Sequence, residues 1–181
     1  MNKKLELILK IRIAIPGDAV ALSKLKCETF RETFLEDGFN IGYAPDDLAA
    51  FEAESYSAEK IMEQLADPEH RTWIAENGDG RLIGYVHVGP CHLAHPEVQE
   101  ADGEVYQLYL RREAQGSGAG RDLFNLALEY LTEARSGSLW LGVWSGNDKA
   151  IAFYEKAGFT HVGDYGFKVG ATTDHEFIYR R

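Results

Sequence analysis

Glu104-Val105-Tyr106-Gln107-Leu108-Tyr109-Leu110-Arg111-Arg112-Glu113-Ala114-Gln115-Gly116-Ser117-Gly118-Ala119-Gly120-Arg121 joins three unlike pieces of chain. Residues 105–110 are rich in β-branched and aromatic residues and read as a strand. Residues 122–134 read as a helix, because Leu123, Leu126, Ala127, Tyr130, Leu131 and Ala134 recur at intervals of three and four and make one apolar face. Between them, residues 115–121 form a glycine loop that runs straight into the helix start. The first helical turn cannot satisfy its own N–H groups, and the partial positive charge there attracts phosphate. This predicts an anion cradle at the end of a strand.

A chain of 181 residues with 45% hydrophobic and 12% aromatic residues can bury a core, so residues 1–181 are expected to form a single domain. No apolar run reaches the ~20 residues that cross a bilayer, and Met1-Asn2-Lys3-Lys4 does not open a signal peptide, so a cytoplasmic protein with no membrane contact is expected. Cys27 and Cys91 form no CxxC pair and are expected as buried free thiols. A net charge of −10 argues against a nucleic-acid partner, because binding phosphate backbones needs clustered Lys and Arg. The negative charge is concentrated: residues 28–69 hold twelve acidic residues against Arg31 and Lys60. Solvated helix faces account for part of it, and a field drawing cationic substrates is the alternative.

In chain order, residues 5–15 read as a first strand ended by Pro16-Gly17, and Asp18 is placed to cap a helix running to Phe34. Residues 48–56 and Ala58–Ala66 read as two helical pieces, stopped by Pro68. Strands at 72–75 and 82–88 flank Asn77-Gly78-Asp79-Gly80, a hairpin signal. Residues 92–102 read as a surface loop. Leu139–Trp144 is continuously apolar, which predicts a central strand covered on both faces. Asn147 caps a helix to Ala157, with Gly158 at the preferred glycine position after it. Residues 159–167 and 176–180 complete the set as two strands.

Three readings compete for the glycine loop. A Walker loop requires GxxxxGK[ST], and no Lys-Ser or Lys-Thr follows. A dinucleotide site prefers GxGxxG, whereas Gly116, Gly118 and Gly120 give GxGxG, with no acidic residue at the end of the next strand. The pattern [QR]xxGx[GA] is met by Gln115, Gly118 and Gly120.

A second motif decides among them. Asn147-Asp148-Lys149-Ala150-Ile151-Ala152-Phe153-Tyr154-Glu155-Lys156-Ala157-Gly158-Phe159, taken with the loop, resembles the GNAT superfamily of acyl-coenzyme A N-acetyltransferases. The resemblance covers most of the chain from Ile11 onward. Residues 28–34 and 140–144 further resemble the PaiA-type spermidine/spermine N-acetyltransferases. The resemblance implies an α/β (α+β) fold: a mixed, mostly antiparallel sheet of about seven strands, splayed between strands 4 and 5 and flanked by helices.

It also implies acetyl-coenzyme A (acetyl-CoA) as cofactor. The pyrophosphate is then expected on the loop amides of Gln115, Gly116, Ser117, Gly118, Ala119 and Gly120, with Arg121 adding charge. The pantetheine arm is expected along Leu108, Tyr109 and Leu110, in a cleft facing residues 141–143. Asn147 is a candidate contact to that arm, with a plain helix cap as the alternative. Lys156 is a candidate for a nucleotide phosphate, with a solvated helix lysine as the alternative.

Direct transfer needs no nucleophilic residue, and neither a GxSxG elbow nor a cysteine motif is present. Tyr154 matches the family tyrosine that protonates the departing sulfur. Glu104, at the start of the strand, is the first candidate for the base. Glu28 and Glu32, four residues apart on one helix face, are candidate substrate contacts. The Tyr109 N–H is the expected donor to the developing oxyanion. Cys91, His92 and His95 have no matching second half, so no metal is expected. The expected activity is acetyl transfer to a small-molecule amine, with a polyamine such as spermidine or spermine as the leading acceptor. Protein N-termini, lysine or another small amine are the alternatives, as is a non-catalytic CoA-sensing module. A homodimer is possible, since dimers are common among such proteins.

Overall fold

The computed structural model describes residues 9–35 and 38–181. Seven strands make one sheet: β1 (Lys10–Ile13), β2 (Arg71–Glu76), β3 (Leu82–Pro90), β4 (Gly103–Leu110), β5 (Leu139–Trp144), β6 (Thr160–Val169) and β7 (Thr172–Arg180). Their order is β1-β2-β3-β4-β5-β7-β6. Every neighbouring pair is antiparallel except β4 and β5. A parallel pair needs a crossover, and helix α4 (Ala119–Ala134) forms it. The expected mixed sheet is therefore present.

Helices cover both faces. On one, α4 buries Leu123, Phe124, Ala127 and Leu131 against Trp73, Val86, Val105 and Leu141. Each large side chain taken fully out of water there contributes ~1.5–3 kcal/mol. Helix α5 (Asp148–Lys156) adds Tyr154, and Phe159 follows it into the same core. The opposite face carries α1 (Ala19–Phe34), α2 (Pro45–Tyr56) and α3 (Ala58–Ala66). Leu22, Leu25 and Ile61 from these helices pack on Ile74 and Tyr85. Trp73 and Ala75 face one side of β2 and Ile74 the other, as strand alternation requires.

The sheet opens in its middle. β4 pairs with β5 only at Gly103–Leu139, Glu104–Trp140 and Val105–Leu141, and beyond Val105 the strands separate. The register against β3 shifts there, His87 facing Gln107 and Val88 facing Val105, which leaves Tyr106 as an extra residue. Such a bulge bends its strand and re-aims the following side chains. Gly142 keeps the other lip clear: a Cβ at that position would lie 2.5 Å from the Tyr165 hydroxyl.

Several boundaries differ from expectation. The first strand is only Lys10–Ile13, and the predicted residues 5–8 lie outside the described ones. Asp18 does not cap α1. Its carboxylate accepts from the Ile15 N–H at 2.8 Å and pairs with Arg12 at 2.7 Å, a stronger partner than a helix amide. Helix α4 begins at Ala119 and not Asp122, because Gly118 takes a left-handed φ of 96° that lets the turn close early. The last two strands are longer than expected, since β6 and β7 pair along their whole lengths. Gly158 has the expected left-handed φ of 88° after α5. Cys27 and Cys91 are free thiols, half-buried and not fully so. Among the described residues, no helix is long and apolar enough to cross a membrane.

Candidate active site

The splay creates a cleft of about 1180 Å³ between β4 and β5 that reaches from the glycine loop to the aromatic side chains of α1 and α2. At the loop end, three amides are open. The Gln115 N–H is bonded to Arg112 O, Ser117 to Ala114 O, Ala119 to the Ser117 hydroxyl and Arg121 to Gly118 O. Among the described residues, the N–H groups of Gly116, Gly118 and Gly120 have no acceptor. Gly116 and Gly118 have left-handed φ values, and nothing lies within 4 Å of where their Cβ atoms would be. A phosphate can therefore approach the backbone closely, which fits the residues present to a pyrophosphate. Gln115, Ser117 and Arg121 line the cleft here, whereas Ala119 is buried behind the loop.

Leu108 and Leu110 turn their side chains into the α4 core, and Leu110 lies under Gly120, 3.0 Å from a Cβ built there. Tyr109 faces the other side, against Tyr85 and Phe34. One hydrogen bond settles the backbone direction: Arg111 N donates to Ile83 O at 2.8 Å. In an antiparallel ladder, alternate residues turn their N–H and C=O to the same neighbour. The register Tyr85–Tyr109 then directs the Tyr109 N–H at β3, so Leu108 and Leu110 present theirs to the cleft. The expectation of Tyr109 as oxyanion donor is corrected accordingly.

Tyr154 lines the cleft, its ring packed 5.4 Å from Phe124. Burial pushes its phenol up to about 12, so it stays protonated and able to donate. Glu104 lines the same cleft and is only 7% exposed. Burial raises its carboxyl to about 7, against the opposing hydrogen bond from the His92 N–H at 2.8 Å. His92 stacks on Tyr106, and His95 packs against Trp140.

Of the other expected contacts, Glu32 and Asn147 line the cleft, whereas Glu28 and Lys156 do not. Glu28 and Glu32 share a helix face as predicted, yet Glu28 sits 2.5 Å from the Arg111 guanidinium. Glu32 accepts from the Arg112 N–H at 2.9 Å. Both tie α1 to the end of β4, because buried Arg111 has to be matched by anions. Asn147 lines the cleft while its side chain caps α5 through the Ala150 N–H. Lys156 is exposed and outside the cleft lining. Lys149 is the lysine that reaches the cleft, its ammonium 3.4 Å from the side-chain Oε1 of Gln115.

Sequence reasoning missed Glu176. It enters the cleft from β7, opposite Trp144, with Tyr165 donating to it at 2.5 Å. Burial raises its carboxyl, and the Tyr165 hydrogen bond opposes the rise. No motif surrounds it, so only strand pairing could reveal it. Phe30, Phe34, Phe39, Tyr56, Trp144 and Phe167 wall the same end.

The arrangement offers anion-binding amides at one end, open strand amides in the middle, and a phenol and two carboxyls of raised pKa beyond them. Comparison with known proteins agrees. The acetyltransferase (GNAT) family model matches residues 28–159. An uncharacterized N-acetyltransferase from Lactobacillus delbrueckii subsp. lactis is 30% identical over 90% of this chain and 88% of its own. A mycothiol acetyltransferase from Acidothermus cellulolyticus is 36% identical over 65% of this chain, which spans 38% of that longer protein. The PaiA N-acetyltransferase from Thermoplasma acidophilum, solved in complex with coenzyme A, superposes with a TM-score of 0.70 at 21% identity, covering 96% of this chain and 98% of the other. The glycine loop, the splayed strands and these likenesses converge: the chain belongs to the GNAT family and is an acetyl-CoA-dependent N-acetyltransferase.

Proposed function

We propose that the acceptor is a primary amine with an apolar body, its nitrogen held between Glu104 and Glu176. The observation that carries this reading is the make-up of the acceptor end: two carboxyls of raised pKa among aromatic walls. An ammonium is attracted to carboxylates and to aromatic faces alike. Acetyl-CoA supplies the acetyl group as a thioester. Glu104, near 7, is ionised in part at neutral pH and can accept the proton that an amine of pKa ~10 must lose. The open N–H groups of Leu108 and Leu110 hold the carbonyl oxygen as charge develops there. Tyr154 gives its proton to the departing sulfur, a role that its raised pKa supports. Gly116, Gly118 and Gly120 bind the pyrophosphate, and Arg121 and Lys149 supply charge near it.

A polyamine such as spermidine is the second reading, favoured by the presence of two carboxyls in one cleft. The upstream acidic stretch lends it less than its charge suggests, because Glu28, Glu32 and Glu52 are engaged by Arg111, Arg112 and Arg31. The test is thiol release from acetyl-CoA with 2-phenylethylamine and with spermidine. Faster release with 2-phenylethylamine is expected. Release with spermidine alone would replace the first reading by the second, and release with neither would remove both.

A further inference from the structure

Lys26 is the one lysine in the described residues that is fully buried, 2% exposed, in the middle of α1. Among the described residues it has no ion pair; its ammonium sits 5.0 Å above the Tyr85 ring and 5.9 Å from that of Tyr56. Its one hydrogen bond among the described residues, 2.6 Å, goes to the side-chain oxygen of Gln107. A protonated lysine has three donors and no acceptor. The Gln107 amide turns its oxygen to Lys26, which keeps N–H donors in either protonation state, and its NH₂ group is left facing the other way.

That group donates to the Tyr56 hydroxyl at 3.2 Å. With its oxygen accepting from Gln107, the Tyr56 O–H hydrogen is directed elsewhere. Among the described residues no acceptor receives it, although the phenol is 4% exposed and lines the cleft beside Gln107. Burial raises the Tyr56 phenol well above its usual value, so the hydrogen stays in place at neutral pH. A buried donor without a partner is costly, and a ligand atom that accepts from it recovers that cost.

We infer that Lys26, through Gln107, fixes Tyr56 as a hydrogen-bond donor aimed into the cleft, and that the acceptor molecule carries a carbonyl or carboxyl oxygen close to its reacting amine. The substrate class is an α-amino carbonyl compound, such as an amino-acid ester or amide or a peptide N-terminus. This deepens the apolar-amine reading above and rests on it. Lys26 and Gln107 are positioning residues, and Tyr56 is the specificity contact. A bare polyamine offers no such oxygen and leaves the Tyr56 hydrogen unmatched. A site built to hydrogen-bond a substrate group discriminates strongly against an analogue without it.

Two arms test the inference. In the kinetic arm, L-phenylalanine methyl ester is compared with 2-phenylethylamine, which has the same aromatic body without the carbonyl. The wild type is expected to favour the ester in kcat/KM, and Tyr56→Phe to lower that preference by roughly tenfold, chiefly through the KM of the ester. Gln107→Glu keeps Tyr56 and a partner for Lys26, but its carboxylate accepts the Tyr56 hydrogen and turns it away from the cleft. It should lower the preference as much as Tyr56→Phe does, and the double variant should be no worse than either. Comparing each variant's ratio with that of the wild type cancels differences in basicity and size between the probes. A purely structural role would slow both probes equally and leave the ratio unchanged, which overturns the inference.

The second arm needs no turnover. In ¹H–¹⁵N spectra of the intact protein, the Gln107 side-chain NH₂ is expected to be protected from exchange. Lys26→Met should abolish that protection while the backbone amide spectrum persists. A freely exchanging Gln107 NH₂ in the wild type overturns the inference by itself. If that group is protected but neither probe is acetylated, the relay stands and the apolar-amine reading fails.

Discussion

Replacing Lys26 by Met should reveal a buried charge through the pH dependence of stability. Burial lowers the Lys26 ammonium from its usual 10.5 to about 7, and at ~1.36 kcal/mol per tenfold change in proton affinity that corresponds to roughly 5 kcal/mol of destabilisation in the protonated form. Below about 7 both folded and unfolded chains hold the proton, so the folded state carries the whole cost. Between about 7 and 10.5 the unfolded chain keeps the proton and the folded one has lost it, so stability rises with pH. Met has nearly the same length and no charge, and it gives up the hydrogen bond to Gln107, worth ~1.5–3 kcal/mol. At pH 6 Lys26→Met should therefore be the more stable protein by about 2 kcal/mol. Between pH 6 and pH 9 the difference should move by roughly 3 kcal/mol in favour of the wild type, which alone recovers, so the order reverses.

The neighbouring groups leave this window to Lys26. His87 on β3 is held neutral far below it, and Tyr85 on β3 and Tyr56 on α2 remain protonated through it. Burial also raises Cys27 on α1 itself. Glu104 titrates near 7 in both proteins and cancels in the difference. The assay is urea unfolding of both proteins at the two pH values, with m-values compared to confirm two-state behaviour. An unfolding difference that is the same at pH 6 and pH 9 would refute the reasoning, because it would mean that Lys26 does not change protonation between them.

Three further outcomes are expected. Tyr154→Phe should lower kcat by ~10²-fold or more and leave coenzyme A affinity by calorimetry unchanged, since only a proton donor is removed; an unaltered kcat sinks the general-acid role. Wild-type turnover should rise with pH as Glu104 ionises through about 7, and Glu104→Gln should flatten that limb and lower the plateau. A retained limb would assign the base elsewhere, Glu176 first. Gly118→Ala has open space for its Cβ but a φ of 96°, so it should cost ~1–2 kcal/mol of stability and weaken coenzyme A binding. Unchanged affinity would show that the loop does not hold the pyrophosphate.

Glu104 and Lys26 are shifted by the same physics in opposite charge directions. Each is a group whose ionised form has lost water, and each lies near 7 for that reason. Glu104 is expected to use its shift to take a proton, while Lys26 has no access to a reacting atom except through Gln107 and Tyr56. The β4 bulge at Tyr106 makes this possible. It turns Gln107 toward Lys26 while Val105 remains in the α4 core.

Much of this protein is legible along the chain, because the relevant physics is local. Glycine at 116, 118 and 120, the β-branched and aromatic content of 105–110, the apolar face of 122–134 and the run from Asn147 to Phe159 each sit within one element or one junction. Their meaning survives without knowledge of distant residues. The glycine loop, β5 and the Gly158 cap stand accordingly where the spacing puts them, and α4 does so apart from its earlier start at Ala119. What the chain order hides is pairing across it. Whether Glu28 and Glu32 face a substrate or Arg111 depends on where β4 ends beneath α1. Whether the Tyr109 or the Leu108 amide is open depends on a register set by β3. Glu176 reaches the cleft because β7 inserts between β5 and β6, and Gln107 reaches Lys26 across 81 positions of sequence. Charge and hydrogen-bond direction act between neighbours in space, so the sequence alone determined the glycine loop between its strand and helix, and only the tertiary structure decided which side chains and amides line the cleft around it.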